Sequence, residues 1–246
     1  MRNIKMIIEY DGSRYKGWQR LQGGESTIQG KLEDVISQML GVPTEIIGSG
    51  RTDAGAHAKN QVANFKAHGK MTTREMLDYI NHYLPQDIVV KKLEEKDVRF
   101  HSRYNAKGKR YIYQIWNSKV PSAFERKYSY HVPEELNIDE MKRAAEKLIG
   151  EHDFIAFSSV KKSNKSTIRE ISSISFEKSK EMLVISITGD GFLYNMVRII
   201  IGTLLEIGLG RKKAEYIDEI FRGGRRLEAG QTVPAQGLFL QEVYYD

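Results

Sequence analysis

"TIQGKLEDVISQML", residues 27–40, places Ile28, Leu32, Val35, Ile36, Met39 and Leu40 on one side of a 3.6-residue period, the apolar stripe of an amphipathic helix. Gly41 and Pro43 follow at once, a left-handed cap and a residue with no amide to continue the ladder. On the amino-terminal side "IKMIIEY" (4–10) is rich in strand-forming residues. On the other side "TEIIGS" (44–49) and "NQVANFKA" (60–67) read as short strands. "TREMLDYINHYL" (73–84) returns to helical spacing, and "DIVVKKLEE" (87–95) closes the series as a strand.

The order is β-α-β-β-α-β, the split βαβ signature of a ferredoxin-like unit. The second half repeats it with different residues: strand "KRYIYQIW" (109–116), helix "IDEMKRAAEKLIG" (138–150), strands "TIREISSISFEKS" (167–179) and "EMLVISITG" (181–189), a helix over 191–208 and strand "GLFLQEVYY" (237–245). An extra helix, "AEYIDEIFRGG" (214–224), precedes the last strand, and 117–136 reads as a long surface connection. The expected fold is α+β, with two ferredoxin-like (RRM-like) βαββαβ subdomains whose joined antiparallel sheets surround a central cleft. The boundary falls near Tyr104 to Lys109, giving 1–105 and 106–246.

A chain of 246 residues with 40% hydrophobic content buries a full core. Lys plus Arg number 38 against 32 Asp plus Glu, a formal charge of +6 that favours a polyanionic partner, nucleic acid first. The absence of cysteine excludes disulfides, thiolate zinc sites, iron–sulfur ligation and a cysteine nucleophile, and fits a reducing compartment. The apolar run in "MRNIKMIIEYDG" meets Glu9 and Asp11 too early for a secretory signal. "GFLYNMVRIIIGTLLEIG" (191–208) is interrupted by Asn195, Arg198 and Glu206, so it reads as a buried helix and not as a membrane span. The expected location is the cytoplasm.

"GSGRTDAGAHA" (48–58) sets Arg51 and Asp53 among small residues that let a planar ligand or a sugar approach closely. The competing reading is an Asx-turn at Asp53 with Arg51 paired to it on the surface. Gly48 and Gly50 lack the third glycine of a dinucleotide fingerprint and no Gly-Lys-Ser/Thr follows, which leaves no nucleotide cofactor. The six histidines (57, 68, 82, 101, 131 and 152) form no His-x-His or His-Glu-x-x-His, and "GEHDF" (150–154) reads as a helix end, so no metal is expected. A glycosidase needs a second carboxylate near Asp53; upstream Glu45 falls in a strand and no acidic residue follows until Glu75.

"KGKRYIYQIW" (107–116) sets Lys107, Lys109 and Arg110 beside Tyr111, Tyr113 and Trp116, with Tyr104 just before. Cations for phosphates and rings for bases suit an RNA-binding strand, and the alternation equally suits a half-buried one. Arg198, in the most apolar helix, needs a carboxylate or phosphate partner; Asp190 and Glu206 are candidates for a structural pair.

"EYDGSRYKGWQR", "GSGRTDAGAHA", "FHSRYNAKGKRYIY", "GEHDFIAFS", "GFLYNMVRIIIGTLLEIG" and "VPAQGLFLQEVYY" occur in this order, and together they resemble the TruA-type tRNA pseudouridine synthases over nearly the whole chain. Ala56 stands where that family commonly has valine, and Leu21 where a glutamine often occurs. The resemblance implies two α/β subdomains around a cleft, a homodimer, no cofactor, and uridines on the 3′ side of the tRNA anticodon arm as substrate. It puts the catalytic aspartate at Asp53, its neighbouring arginine at Arg51, the active-site tyrosine at Tyr111 and the basic partner of the late helix at Arg198. An aspartate in a closed cleft keeps its charge only beside a cation, so an Asp53–Arg198 ion pair with a buried Arg198 is expected. Tyr111 would stack on uracil and Arg51 would hold the flipped-out nucleotide. Lys107, Lys109, Arg110, Arg14, Arg20 and "KKSNK" (161–165) would grip the RNA backbone. An idle RNA-binding protein on the same scaffold, the same chemistry on another RNA, and a nucleoside hydrolase remain as alternatives.

Overall fold

A computed structural model describes residues 1–160 and 166–245. Contacts divide the chain into two compact units, Met1–Lys107 with Phe239–Asp246, and Gly108–Leu238.

The first unit contains β1 (Arg2–Tyr10), α1 (Ile28–Leu40), β2 (Ile47–Gly48), β3 (His57–Ala67), α2 (Thr73–Tyr83) and β4 (Ile88–Lys96). β1 lies between β3 and β4, antiparallel to both, and β2 pairs antiparallel with β3. Alternation along β1 buries Ile4, Met6, Ile8 and Tyr10, and they share the core with Leu32 and Ile36 of α1, Phe65 of β3, and Met76 and Ile80 of α2. Thr27 caps α1 by accepting from the Gly30 amide at 3.2 Å, and Gly41 ends it at φ 69°. Thr72 and Glu75 close a reciprocal capping box on α2.

"TEIIGS" shortens to two residues of sheet because the Ile46 amide donates to the buried Glu33 carboxylate at 3.0 Å and not to a neighbouring strand. The closing strand also departs from its sequence assignment. β10 (Leu238–Tyr244) runs parallel to β3, Phe239 opposite His57 and Leu240 opposite Ala58, and from Phe239 onward it packs with the first unit.

The second unit contains β5 (Gly108–Asn117), β6 (Tyr130–Val132), α3 (Ile138–Glu146), β7 (Gly150–Asp153), β8 (Ile168–Ser179), β9 (Met182–Gly189), α4 (Met196–Gly208) and α5 (Tyr216–Gly223). Its strands run β5-β9-β8-β7, all antiparallel, with β6 parallel to the end of β5. Tyr113, Ile115, Leu183, Ile185 and Ile187 line one sheet face, and with Phe154, Phe157, Met141, Ile199, Ile200 and Leu204 they are fully buried.

Three details correct the sequence reading. "GEHD" is a strand paired with Ile168–Ile171 and not a helix end, since α3 stops at Glu146 and Gly150 takes φ 107°. The segment 117–136 is more than a connection: it carries β6 and a 3-10 turn at Glu125–Lys127. The late helix starts at Met196, five residues after the expected start, because Asn195 adopts φ 62° and breaks the ladder. "KKSNK" (161–165) lies outside the described residues. No helix among the described residues is long and apolar enough to cross a membrane.

Candidate active site

The Arg51-Thr52-Asp53 loop joins β2 to β3, and the segment after β1 holds it from both sides. Upstream of Asp53, the Trp18 amide donates to the Thr52 carbonyl at 3.1 Å and Ser49 N donates to Val62 O at 2.7 Å. Downstream, Gly55 N donates to Tyr15 O at 3.3 Å and Ala56 N closes a turn onto Asp53 O at 3.1 Å. Beneath lies a buried polar network. The Tyr10 hydroxyl and Thr52 Oγ1 are 2.8 Å apart, the Gln61 amide donates to Gly50 O at 3.2 Å, and Gln61 Oε1 accepts from Ser49 Oγ at 2.7 Å. Burial pushes the Tyr10 hydroxyl well above the ordinary phenol range, against smaller opposing effects of its Thr52 and Gln61 hydrogen bonds, so it stays neutral.

Two glycines make this approach sterically possible. A Cβ on Gly12 would lie 1.9 Å from the Ala56 carbonyl oxygen, and Gly17, at φ 96°, would place one 2.7 Å from the Thr52 carbonyl oxygen. The result is a half-buried Asp53 on a backbone fixed in both directions, with Thr52 buried and Arg51 exposed. Among the described residues Arg51 has no hydrogen-bond or ion-pair partner, so the surface Arg51–Asp53 pair is not formed.

In the second unit Tyr111 sits on β5 opposite Ile187, 7% exposed, with its ring edge-on to Phe192 at 5.2 Å. Tyr113, two residues on and on the same face, is fully buried and donates to Pro234 O at 2.7 Å. Burial raises the Tyr113 pKa far above the free phenol, and the nearby Arg198 charge opposes that shift. Arg198, on the first turn of α4, is half-buried and not deeply enclosed. Its Nε donates to Val233 O at 2.7 Å and its Nη1 to Asn195 Oδ1 at 3.0 Å. Glu206, one structural partner considered for it, pairs with Arg211 at 3.0 Å, while Asp190 accepts from the Glu170 amide at 3.0 Å.

Asn195 and the 226–234 strap are contributors that residue patterns did not reveal. Asn195 bends the chain into the left-handed region, bonds Ser159 Oγ at 3.0 Å and aims Arg198. The strap lies so close to α4 that a Cβ on Gly202 would meet the Gln231 carbonyl oxygen at 1.9 Å, and Gly230 N donates to Thr203 Oγ1 at 2.8 Å. An asparagine just before an apolar helix and a glycine inside it were the available signals. Tyr113→Phe removes the donor to Pro234 at the end of the strap, and unfolding in denaturant is expected to show a loss of about 1–2 kcal/mol. An unchanged midpoint contradicts this anchor.

The remaining cations differ in their engagements. Arg14 contacts Asp87 through Nε at 2.9 Å and Nη2 at 2.6 Å, and Tyr15 donates to the other carboxylate oxygen at 2.6 Å. Arg20 reaches the buried Glu33 at 3.0 Å. Both arginines therefore neutralise protein carboxylates, while their outer faces remain exposed. Lys107 and Arg110 are exposed and Lys109 is half-buried, with Lys109 opposite Gly189 and Arg110 opposite Thr188. Asp53, Arg51, Arg14, Arg20 and Lys107 belong to the first unit, and Lys109, Arg110, Tyr111 and Arg198 to the second. No group of three or more His, Asp or Glu among the described residues is placed to hold a metal ion.

A family model described as tRNA pseudouridine synthase matches residues 6–105 and 144–246. A Bacillus sp. (strain KSM-64) protein named tRNA pseudouridine synthase A is 50% identical over 245 residues, covering 100% of both chains. A protein of the same name from Acetivibrio thermocellus is 47% identical, again over 100% of both. A chain from the crystal structure of a Cbf5-Nop10-Gar1 complex aligns with 82% of this chain and 54% of its own, at a TM-score of 0.35 and 10% identity, too low to bear on the fold. Full-length identity near one half, spanning the Asp53 loop, β5 and the start of α4, shows that the chain belongs to the tRNA pseudouridine synthase family, of the TruA type.

Proposed function

We propose that this protein converts uridine to pseudouridine on the 3′ side of the tRNA anticodon arm, with Asp53 as the catalytic carboxylate. The observation that carries this reading is the Arg51-Thr52-Asp53 loop, held on both sides by the Tyr15 and Trp18 backbone so that one acidic side chain stands at a fixed place. The reaction breaks the C1′–N1 bond, turns the uracil and rejoins it through C5, and a proton leaves C5 as one returns to N1. Atoms and electrons balance within the nucleoside, so no cofactor is needed. The barrier lies in releasing an anionic uracil from an electron-poor sugar. A fixed carboxylate lowers it by attack at C1′ or by taking the C2′ proton.

Asp53 is assigned an ion pair with Arg198, which keeps the carboxylate charged away from water. Tyr111 stacks on the uracil, and its hydroxyl serves removal of the C5 proton. Arg51 holds the extruded nucleotide, and Lys107, Lys109, Arg110, Arg14 and Arg20 bind phosphates. The fold assigned to the reaction is a pair of ferredoxin-like subdomains with joined sheets around a central cleft, working in a homodimer in the cytoplasm. The β4-β1-β3 order with β2 on β3 supports that reading in the first unit.

Purified protein incubated with an unmodified tRNA transcript tests the assignment, with pseudouridine mapped by a carbodiimide label. Label is expected at uridines on the 3′ side of the anticodon arm; release of free uracil, or label at none of them, contradicts it. Arg198→Lys keeps the charge and loses the planar fork that meets Val233 O and Asn195 Oδ1. Single-turnover formation is expected to fall about 10²-fold in that variant.

A further inference from the structure

Immediately before β5 the chain builds a feature that the proposed chemistry does not use. The Tyr104 ring stacks on His101 with centroids 4.1 Å apart and planes inclined 26°, yet Tyr104 is 79% exposed. Its inner face rests on the imidazole, and no other ring meets it among the described residues. A large aromatic left open to water forfeits much of the hydrophobic stabilisation it would gain in a core, and the loop spends many hydrogen bonds holding it there.

His101 Nδ1 accepts from both the Arg103 and Tyr104 amides at 3.2 Å. The His101 amide donates to Asn105 Oδ1 at 2.7 Å, and the Asn105 amide donates back to His101 O at 3.0 Å. Ser102 ties the loop to the sheet, giving its amide and hydroxyl to the buried Asn64 Oδ1 at 2.9 and 2.8 Å, while its carbonyl accepts from the Tyr245 hydroxyl at 2.7 Å. The ring is therefore presented by a preorganised turn. Charge points to the same partner: from Val98 to Arg110 there are five Lys or Arg residues and no Asp or Glu.

We propose that the Tyr104–His101 pair is a stacking platform for one unpaired nucleobase of the RNA substrate, with Arg103 and Lys107 meeting the flanking phosphates. This rests on the reading of the protein as an RNA-modifying enzyme and adds a base-binding subsite to it. An exposed π-face backed by a second ring binds a base with little ordering cost, and nearby cations favour a polyanion over a protein partner.

The test is equilibrium binding of an anticodon-arm stem-loop RNA carrying 2-aminopurine at each unpaired position in turn. With wild-type protein the fluorescence of one position is expected to be quenched. Tyr104→Ala is expected to abolish that quench and weaken affinity about tenfold, and Tyr104→Trp to restore both. The platform is overturned if wild-type protein quenches no position or fails to bind the RNA. It is also overturned if Tyr104→Ala binds as wild type, or if Tyr104→Trp leaves affinity at the alanine level. A wild-type protein that binds and quenches as expected but makes no pseudouridine refutes the catalytic reading and leaves the platform standing.

Discussion

Gly17→Ala is expected to destabilise the protein by about 2–4 kcal/mol and to lower pseudouridine formation further than the loss of folded protein accounts for. The residue sits at φ 96°, where a side chain is strained, and its Cβ would meet the Thr52 carbonyl oxygen at 2.7 Å, with Ala54 N and Asp53 C both at 3.2 Å. All three are backbone atoms, so relief requires displacing the loop that carries Asp53. Trp18 N, bonded to Thr52 O at 3.1 Å, moves with it. Gly24→Ala is the matched control: its φ is 79° but no atom lies within 4 Å of the added carbon. That variant is expected to cost about 1 kcal/mol, with activity per folded molecule retained. The checks are thermal unfolding and single-turnover rates corrected for folded fraction. Equal effects of the two substitutions on rate contradict the steric coupling of residue 17 to the Asp53 loop.

Much of this was readable from residue patterns, and the misses have physical causes. The helices of the first unit and strands β1 and β4 follow from periodicity, because one face of each is more buried than the other, whereas β3 is buried on both faces from Gln61 to Phe65. β7 and β6 escaped notice because "GEHD" and "YHV" are too short for a period to show. The start of α4 depended on one left-handed asparagine. The partner of β10 was hidden because residue types do not encode which sheet a terminal strand joins; its parallel pairing to His57 and Ala58 is long-range. At the candidate site, Arg51, Asp53, Tyr111 and Arg198 were picked out by motif. Their supports were not, since the Tyr15 and Trp18 contacts are backbone hydrogen bonds that side-chain identity leaves unspecified. Gly12 and Gly17 were the visible traces of that approach. Arg198 was expected to be buried and is half-buried, with its guanidinium donating to Val233 O of the strap and to Asn195 Oδ1.

Asp53→Asn is expected to reduce pseudouridine formation by at least about 10³-fold while tRNA affinity stays within about threefold. The substitution keeps size and shape, so the Ala56 N to Asp53 O turn and the contacts of Thr52 and Gly55 are undisturbed. What is lost is the negative charge and the basicity of the carboxylate, which either sugar-directed route requires. RNA binding is expected to be retained because the proposed phosphate and base contacts lie at other residues. If Asp53 were only a turn-forming residue, asparagine would serve equally well. The decisive measurement is a single-turnover time course of carbodiimide-labelled pseudouridine, with wild-type and Asp53→Asn protein in excess over one tRNA transcript and bound RNA measured in the same samples. Label accumulating with wild-type protein and absent with the fully bound variant is the expected result; label appearing at the wild-type rate in the variant contradicts the role assigned to Asp53.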